Sequence, residues 1–115
     1  MLAQGLTTWA EVNEPDTRSD CHAWGASPNF ELLRTVAGIE SIAPGFARVR
    51  VAPNLGSLQR VTATMPHPNG EIRVDLKRRR DKLSADVELP PGITGEFDWS
   101  GTTHSLNPGK NHLDF

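Results

Sequence analysis

Leu83-Ser84-Ala85-Asp86-Val87-Glu88-Leu89 places an apolar residue at every second position, with polar residues between. A period of two is that of a strand with one face buried and the other in water. Working outward in both directions, the pattern repeats. Ile72, Val74 and Leu76 alternate with Arg73, Asp75 and Lys77, and Val61, Ala63 and Met65 alternate with Thr62 and Thr64. Val49 and Val51 alternate with Arg48 and Arg50, while Ile93, Phe97 and Trp99 share one parity. Leu113 and Phe115 mark a last short strand. Turn signals separate these runs: Pro44-Gly45, Pro68-Asn69-Gly70, Arg80-Asp81-Lys82, Pro90-Pro91-Gly92, Ser100-Gly101 and Pro108-Gly109. Short half-buried strands spaced roughly 8 to 12 residues apart predict an antiparallel β-sandwich. The predicted fold is therefore mostly β, with the sandwich over residues 46–115.

The period changes in front of the sandwich. Ser27-Pro28 predicts a helix start, with Ser as N-cap and Pro at the first helical position. Phe30, Leu33 and Ala37 follow on one stripe, and Leu32 and Val36 on a second. Gly38-Ile39 predicts the stop, although the helix can also extend back to about Cys21. Residues 1–20 have little periodicity and read as an irregular loop. The predicted organisation is thus a loop and one α-helix over residues 1–40, a joint near residues 39 to 46, and the sandwich.

Composition narrows the classes of function. The chain has 115 residues with 12 basic and 14 acidic, a net charge of -2. That balance opposes a nucleic-acid binder, whose domain is ordinarily strongly basic. Lys77-Arg78-Arg79-Arg80-Asp81-Lys82 holds five of the 12 basic residues, but it lies at the tip of a predicted hairpin without interleaved aromatics. It reads as a solvated turn, and no nucleic-acid partner is expected. No apolar run approaches the roughly 20 residues that cross a bilayer, so no membrane partner is expected. Met1-Leu2-Ala3-Gln4-Gly5 has neither the charged nor the apolar region of a signal peptide. The single Cys21 implies no disulfide and no oxidising compartment. His67, His104 and His112 are scattered, and no spacing matches a metal site; no metal or cofactor is expected.

Chemistry concentrates in the loop. Thr7-Thr8-Trp9-Ala10-Glu11 and Ser19-Asp20-Cys21-His22-Ala23-Trp24 bring together two tryptophans, a histidine and several carboxylates. Aromatic faces beside acids suit a sugar site: the ring packs on pyranose CH groups and the acids handle hydroxyls or protons. Glycoside hydrolysis needs two carboxyl groups flanking the scissile bond, and Glu11, Glu14, Asp16 and Asp20 crowd this segment. Glu11 is the sharpest candidate among them. Each residue also has a plainer reading. Loop carboxylates are usually just solvated, and Trp9 and Trp24 serve equally as a lid on the helix's core. His22 fits a sugar hydroxyl contact, a base, or a hydrogen-bonded place in a core.

The order of the pieces resembles the C-terminal end of bacterial α-L-rhamnosidases. The resemblance runs through Thr7-Thr8-Trp9-Ala10-Glu11, Ser19-Asp20-Cys21-His22-Ala23-Trp24-Gly25-Ala26-Ser27-Pro28, the helix Phe30 to Gly38, Pro44-Gly45-Phe46, Val51-Ala52-Pro53 and Leu55-Gly56. Pro68-Asn69-Gly70-Glu71-Ile72 and Leu89-Pro90-Pro91-Gly92 extend it. In that family an (α/α)₆ barrel hydrolyses terminal rhamnose with inversion, and a small β-sandwich closes the chain. The resemblance implies that residues 1–40 are a remnant of the helical catalytic barrel and that 46–115 are the C-terminal sandwich. It makes Glu11 the general base, in a Thr-Thr-x-x-Glu context, and puts His22 near the sugar. Some members carry Trp-Glu where this chain has Ala10-Glu11, so Trp9 and Trp24 stand as substrate-binding candidates on their place beside the acids and not on the resemblance. The family's general acid lies far upstream, so the isolated chain is expected to be inactive. Its partner is then a rhamnose-containing carbohydrate, bound through the parent enzyme. The alternative is a non-catalytic structural or carbohydrate-binding sandwich module. The second helical stripe, with Leu2, Leu6, Trp9 and Val12, lacks the barrel helices that would cover it. The isolated chain is therefore expected to self-associate through residues 1–40, most simply as a two-fold homodimer, or to leave that segment disordered.

Overall fold

The computed structural model describes residues 3, 5–12, 14, 16, 18, 19 and 21–115. Leu2 and Asp20, named above, lie outside the described residues. The chain divides into two compact units, residues 1–32 and 33–115.

The larger unit contains eight strands in two sheets. The first has the order β1 (Ile39–Ser41), β2 (Arg48–Val51), β6 (Thr94–Trp99) and β7 (Thr102–Leu106). The second has the order β3 (Arg60–His67), β4 (Gly70–Arg79), β5 (Lys82–Leu89) and β8 (Gly109–Asp114). The chain crosses between the sheets three times, after β2, β5 and β7. Every pairing is antiparallel except β2 with β6, which run parallel. The β3–β5 meander separates those two strands in sequence, and so long a crossover permits the parallel pairing.

The alternation read in the sequence is the alternation of burial. Val49, Val51, Phe97 and Leu106 from one sheet are buried with Ile72, Val74, Leu76, Leu83, Ala85, Val87 and Leu89 from the other. These side chains form the sandwich core, and Ala37, Ile39, Leu55, Ala63, Met65 and Ile93 complete it. Pro66 is accommodated because β3 is an edge strand, where a missing N–H costs no ladder bond. Ser100 and Gly101 both take left-handed backbone angles between β6 and β7, as a two-residue hairpin turn requires.

Two strands go beyond the periodic pattern. β1 has only three residues, too few to display a period, and β7 is the polar Thr-Thr-His-Ser before its single buried Leu106. Both are edges of the first sheet, where burial is least demanding.

The helical path also differs from the expected one. A 3₁₀ turn over Ala23–Ala26 leads into α1 (Ser27–Glu31), and π-type turns follow over Leu32–Val36. Ser27 is therefore inside the helical path and caps nothing; Ala26 is the N-cap, with no side-chain bond. Pro28 sits in the first turn, where its missing N–H goes unused. Gly38 ends the path with φ of 74°, as expected of a left-handed C-terminal residue.

Candidate active-site loop

In residues 1–32, the segments on either side of a loop run next to each other. The His22 N–H donates to the Trp9 carbonyl at 2.7 Å, and the Glu11 N–H donates to the Ser19 carbonyl at 2.9 Å. These bonds form the neck of a loop and bring Trp9, Glu11 and His22 to one place. Gly25 closes in behind: its N–H donates to the His22 carbonyl at 2.9 Å, and a Cβ there would stand 3.0 Å from the Ala10 carbonyl oxygen. A larger residue at 25 would push the 3₁₀ turn away from the neck. Ala10, between the two candidate residues, is fully buried.

The side chains are held by partners that the sequence reading did not single out. The Trp9 indole N–H donates to Asn29 Oδ1 at 3.1 Å, tying the ring to α1. Glu11 is gripped by Arg18 through a two-pronged contact, with Nε to Oε2 at 3.0 Å and Nη2 to Oε1 at 2.6 Å. The Glu11 side chain is 28% exposed and that of Arg18 is 77% exposed. His22 is half-buried. Trp24 is placed differently: its indole is 86% exposed, on the 3₁₀ turn. Glu14 and Asp16 are exposed. Neither Arg18 nor Asn29 has a spacing that marks it beforehand; each is a lone polar residue in a polar stretch.

The sandwich offers a second concave surface. A shallow groove of about 590 Å³ crosses the outer face of the second sheet, lined by Thr62, Thr64, Arg73, Asp75, Asp86 and His112 among others. Four of its charged groups, Arg73, Asp75, Asp86 and His112, are paired among themselves or with neighbours. Arg60 holds Asp75 at 3.1 Å and Arg73 holds Glu71 at 2.8 Å. Burial pushes the Asp75 carboxyl up, but the hydrogen bond and charge of Arg60, with Lys77, outweigh it and leave the carboxyl below its ordinary range. His112 meets Asp86 at Nδ1 (2.7 Å) and Asp114 at Nε2 (3.1 Å). Those bonds, Asp86 first, raise the imidazole above its ordinary range. No Phe, Tyr or Trp ring lines the groove, so it has no broad apolar platform for a pyranose face. The basic tip has a shallow depression bounded by Gln59 and residues 78–82, with the Arg78 N–H on the Gln59 carbonyl at 2.7 Å. Among the described residues, no group of three His, Cys, Asp or Glu side chains is placed to hold a metal ion.

Of the two surfaces, the aromatic–acid neck has the residue types that suit a sugar site. The family described as the bacterial alpha-L-rhamnosidase C-terminal domain matches residues 38–113. Among solved structures, the α-L-rhamnosidase from Dictyoglumus thermophilum superposes with a TM-score of 0.79 at 17% identity, covering 99% of this chain and 16% of that one. The Streptomyces avermitilis α-L-rhamnosidase complexed with L-rhamnose gives 0.77 at 16% identity, covering 99% and 14%. The enzyme from Aspergillus terreus gives 0.73 at 18% identity, covering 84% and 12%. At these identities the likeness is one of fold. The chain spans 12% to 16% of the length of these solved chains. Among proteins of curated function, none matches.

Proposed function

Because this chain belongs to the bacterial α-L-rhamnosidase C-terminal domain family, we propose that it is the closing part of a glycoside hydrolase that removes terminal α-L-rhamnose with inversion. The observation that carries this reading is the family match over residues 38–113, which takes in nearly the whole sandwich. In the proposed reaction Glu11 takes a proton from the water that attacks the anomeric carbon. A carboxylic acid elsewhere in the enzyme protonates the leaving oxygen. Inversion requires the two carboxyl groups about 6.5–9.5 Å apart, with room for water between them. His22, half-buried at the same neck, is the hydroxyl-binding partner, and Trp9 supplies an apolar face next to it. Trp24 has the exposure of a surface ring that awaits a sugar or a protein surface. Residues 1–32 expose Val12, Trp24, Phe30 and Leu32, and in this reading the catalytic body of the enzyme covers them.

Two carboxyls are needed and this chain contributes one, so the 115-residue chain alone does not turn over an aryl rhamnoside. In the complete enzyme, Glu11→Gln lowers kcat at least about 100-fold, the scale of a lost general base. Its melting temperature stays close to that of the parent, because the carboxylate is a loop group. Proton NMR of the first sugar released from an α-rhamnoside checks the stereochemistry, and β-rhamnose is the expected product. An E11Q enzyme of normal kcat, or α-rhamnose as first product, overturns the assignment.

A further inference from the structure

We propose that Arg18 is the positioning residue of Glu11, fixing the plane of the carboxylate that acts on water. The proposal rests on the reading of Glu11 as general base. The contact uses two different nitrogens of the guanidinium on two different oxygens, at 3.0 and 2.6 Å. A two-pronged contact of this kind constrains orientation as well as distance, which a single ammonium does not. It also leaves work for the carboxylate to do. Two oxygens offer about four lone-pair sites, of which the fork occupies two. Each oxygen keeps one lone pair for a water proton while Arg18 stays in place.

The loop explains why such a clamp is needed. Glu11 has three side-chain torsions, and among the described residues its backbone is anchored by the neck bond to the Ser19 carbonyl. Arg18 reaches back from the returning side of the same loop and fixes the far end of the side chain. With Arg18 itself 77% exposed, the ion pair adds little to stability. Its effect lies in where the oxygens point, and misplacing a catalytic group by about 1 Å costs up to about 100-fold in rate.

The test is a double-mutant cycle in the complete enzyme with an aryl α-L-rhamnoside. R18M lowers kcat about 10- to 100-fold, with KM within about twofold and an unchanged melting temperature. Arg18 acts through Glu11, so the R18M/E11Q enzyme is no slower than E11Q alone. R18K keeps the charge without the fork and recovers only part of the loss. Should R18M melt early, R18K in the same cycle carries the test. A normal kcat in R18M, or losses that multiply in the double variant, overturns the proposal while leaving Glu11 as base. A normal kcat in E11Q instead overturns the base assignment itself. Independently of activity, ¹⁵N NMR of the 115-residue chain should show an Arg18 Nε–H signal protected from exchange, and lost in E11Q. Its absence from the unaltered chain overturns the clamp.

Discussion

His112 holds a carboxylate at each ring nitrogen, Asp86 on β5 and Asp114 on its own strand β8. Only the imidazolium has two N–H donors, so only the charged ring satisfies both contacts. Its folded value lies above the ordinary 6.5, so its contribution to stability is fully present below about pH 6.5 and is lost as pH rises through the folded value. The opposite case is close by. Asp114 is lowered, first by the Ser84 hydroxyl and then by His112, so its contribution is present above the ordinary 3.8 and is lost in acid. Thermal melts of the chain between about pH 5 and about pH 9 therefore leave the carboxylates out, and comparison with His112→Gln separates His112 from the other histidines. The melting temperature should drift down across the upper part of that range, and His112→Gln should flatten the drift. An equal slope in both proteins contradicts the account. A different histidine shows what sequence reading misses. His67 is 8% exposed; its Nδ1 accepts the Asn69 N–H at 3.0 Å, so its Nε2–H donates to the Phe46 carbonyl at 2.8 Å. That pin joins the end of β3 to a turn 21 residues earlier. No local spacing announces such a contact, just as none announces Arg18 on Glu11. Glu11 and His22 stood out because of their neighbours in the chain, whereas their partners are set by the folded path of the loop.

β1 depends on Gly38 more than on its own three residues. Gly38 has φ of 74°, and a Cβ there would lie 2.1 Å from the Ala52 carbonyl oxygen. The close approach lets the Ala52 N–H donate to the Gly38 carbonyl at 2.9 Å and sets the register of Ile39 against Val51. Gly38→Ala therefore combines left-handed strain with an overlap of backbone on backbone. It should cost at least about 2 kcal/mol, read from urea unfolding of the chain as a lower midpoint at unchanged slope. Gly45 is the control. Its φ is 65°, but nothing lies within 4 Å of its would-be Cβ, so Gly45→Ala carries the strain alone and should cost less. Equal costs would mean that the packing under β1 is loose. The same strand explains which elements were legible. β4 and β5 are flanked by strands on both sides and packed on one face; alternation is complete in β5 and runs from Ile72 to Leu76 in β4. β1 and β7 are the edges of the first sheet and show almost none. The parallel β2–β6 pairing was not legible either, because alternation records which face is buried and not which way a neighbour runs. Gly95, opposite Val49 in that pairing, has room for no Cβ: one would stand 2.3 Å from the Val49 carbonyl oxygen.

The whole chain divides unevenly in how it buries apolar surface. The core cluster falls entirely within residues 33–115, from Ala37 to Leu106, with Leu33, Phe46, Val61, Trp99, Leu113 and Phe115 packed against it. The larger exposed apolar side chains lie mostly in residues 1–32: Trp24 at 86%, Leu32 at 59%, Phe30 at 55% and Val12 at 46%. Within 1–32 the only fully buried hydrophobic residue among those described is Ala10. Segments so composed fold stably only with cover, since soluble monomers rarely leave apolar patches of more than a few hundred Å² open to water. If the cover is the catalytic body of a rhamnosidase, the 115-residue chain by itself should find a substitute, and the simplest is a second copy paired about a two-fold axis. Sedimentation equilibrium of the chain should then show association that strengthens with concentration. Replacing Trp24 and Phe30 with Ser should weaken it, and a piece spanning residues 33–115 should be monomeric. That piece should retain the β signature in circular dichroism and a cooperative melt, because it takes its core with it. A monomeric full chain with unaltered W24S/F30S behaviour would remove the argument for missing cover. A 33–115 piece that fails to fold would instead show that the sandwich draws stability from residues 1–32, and that the division of the core is not the division of folding.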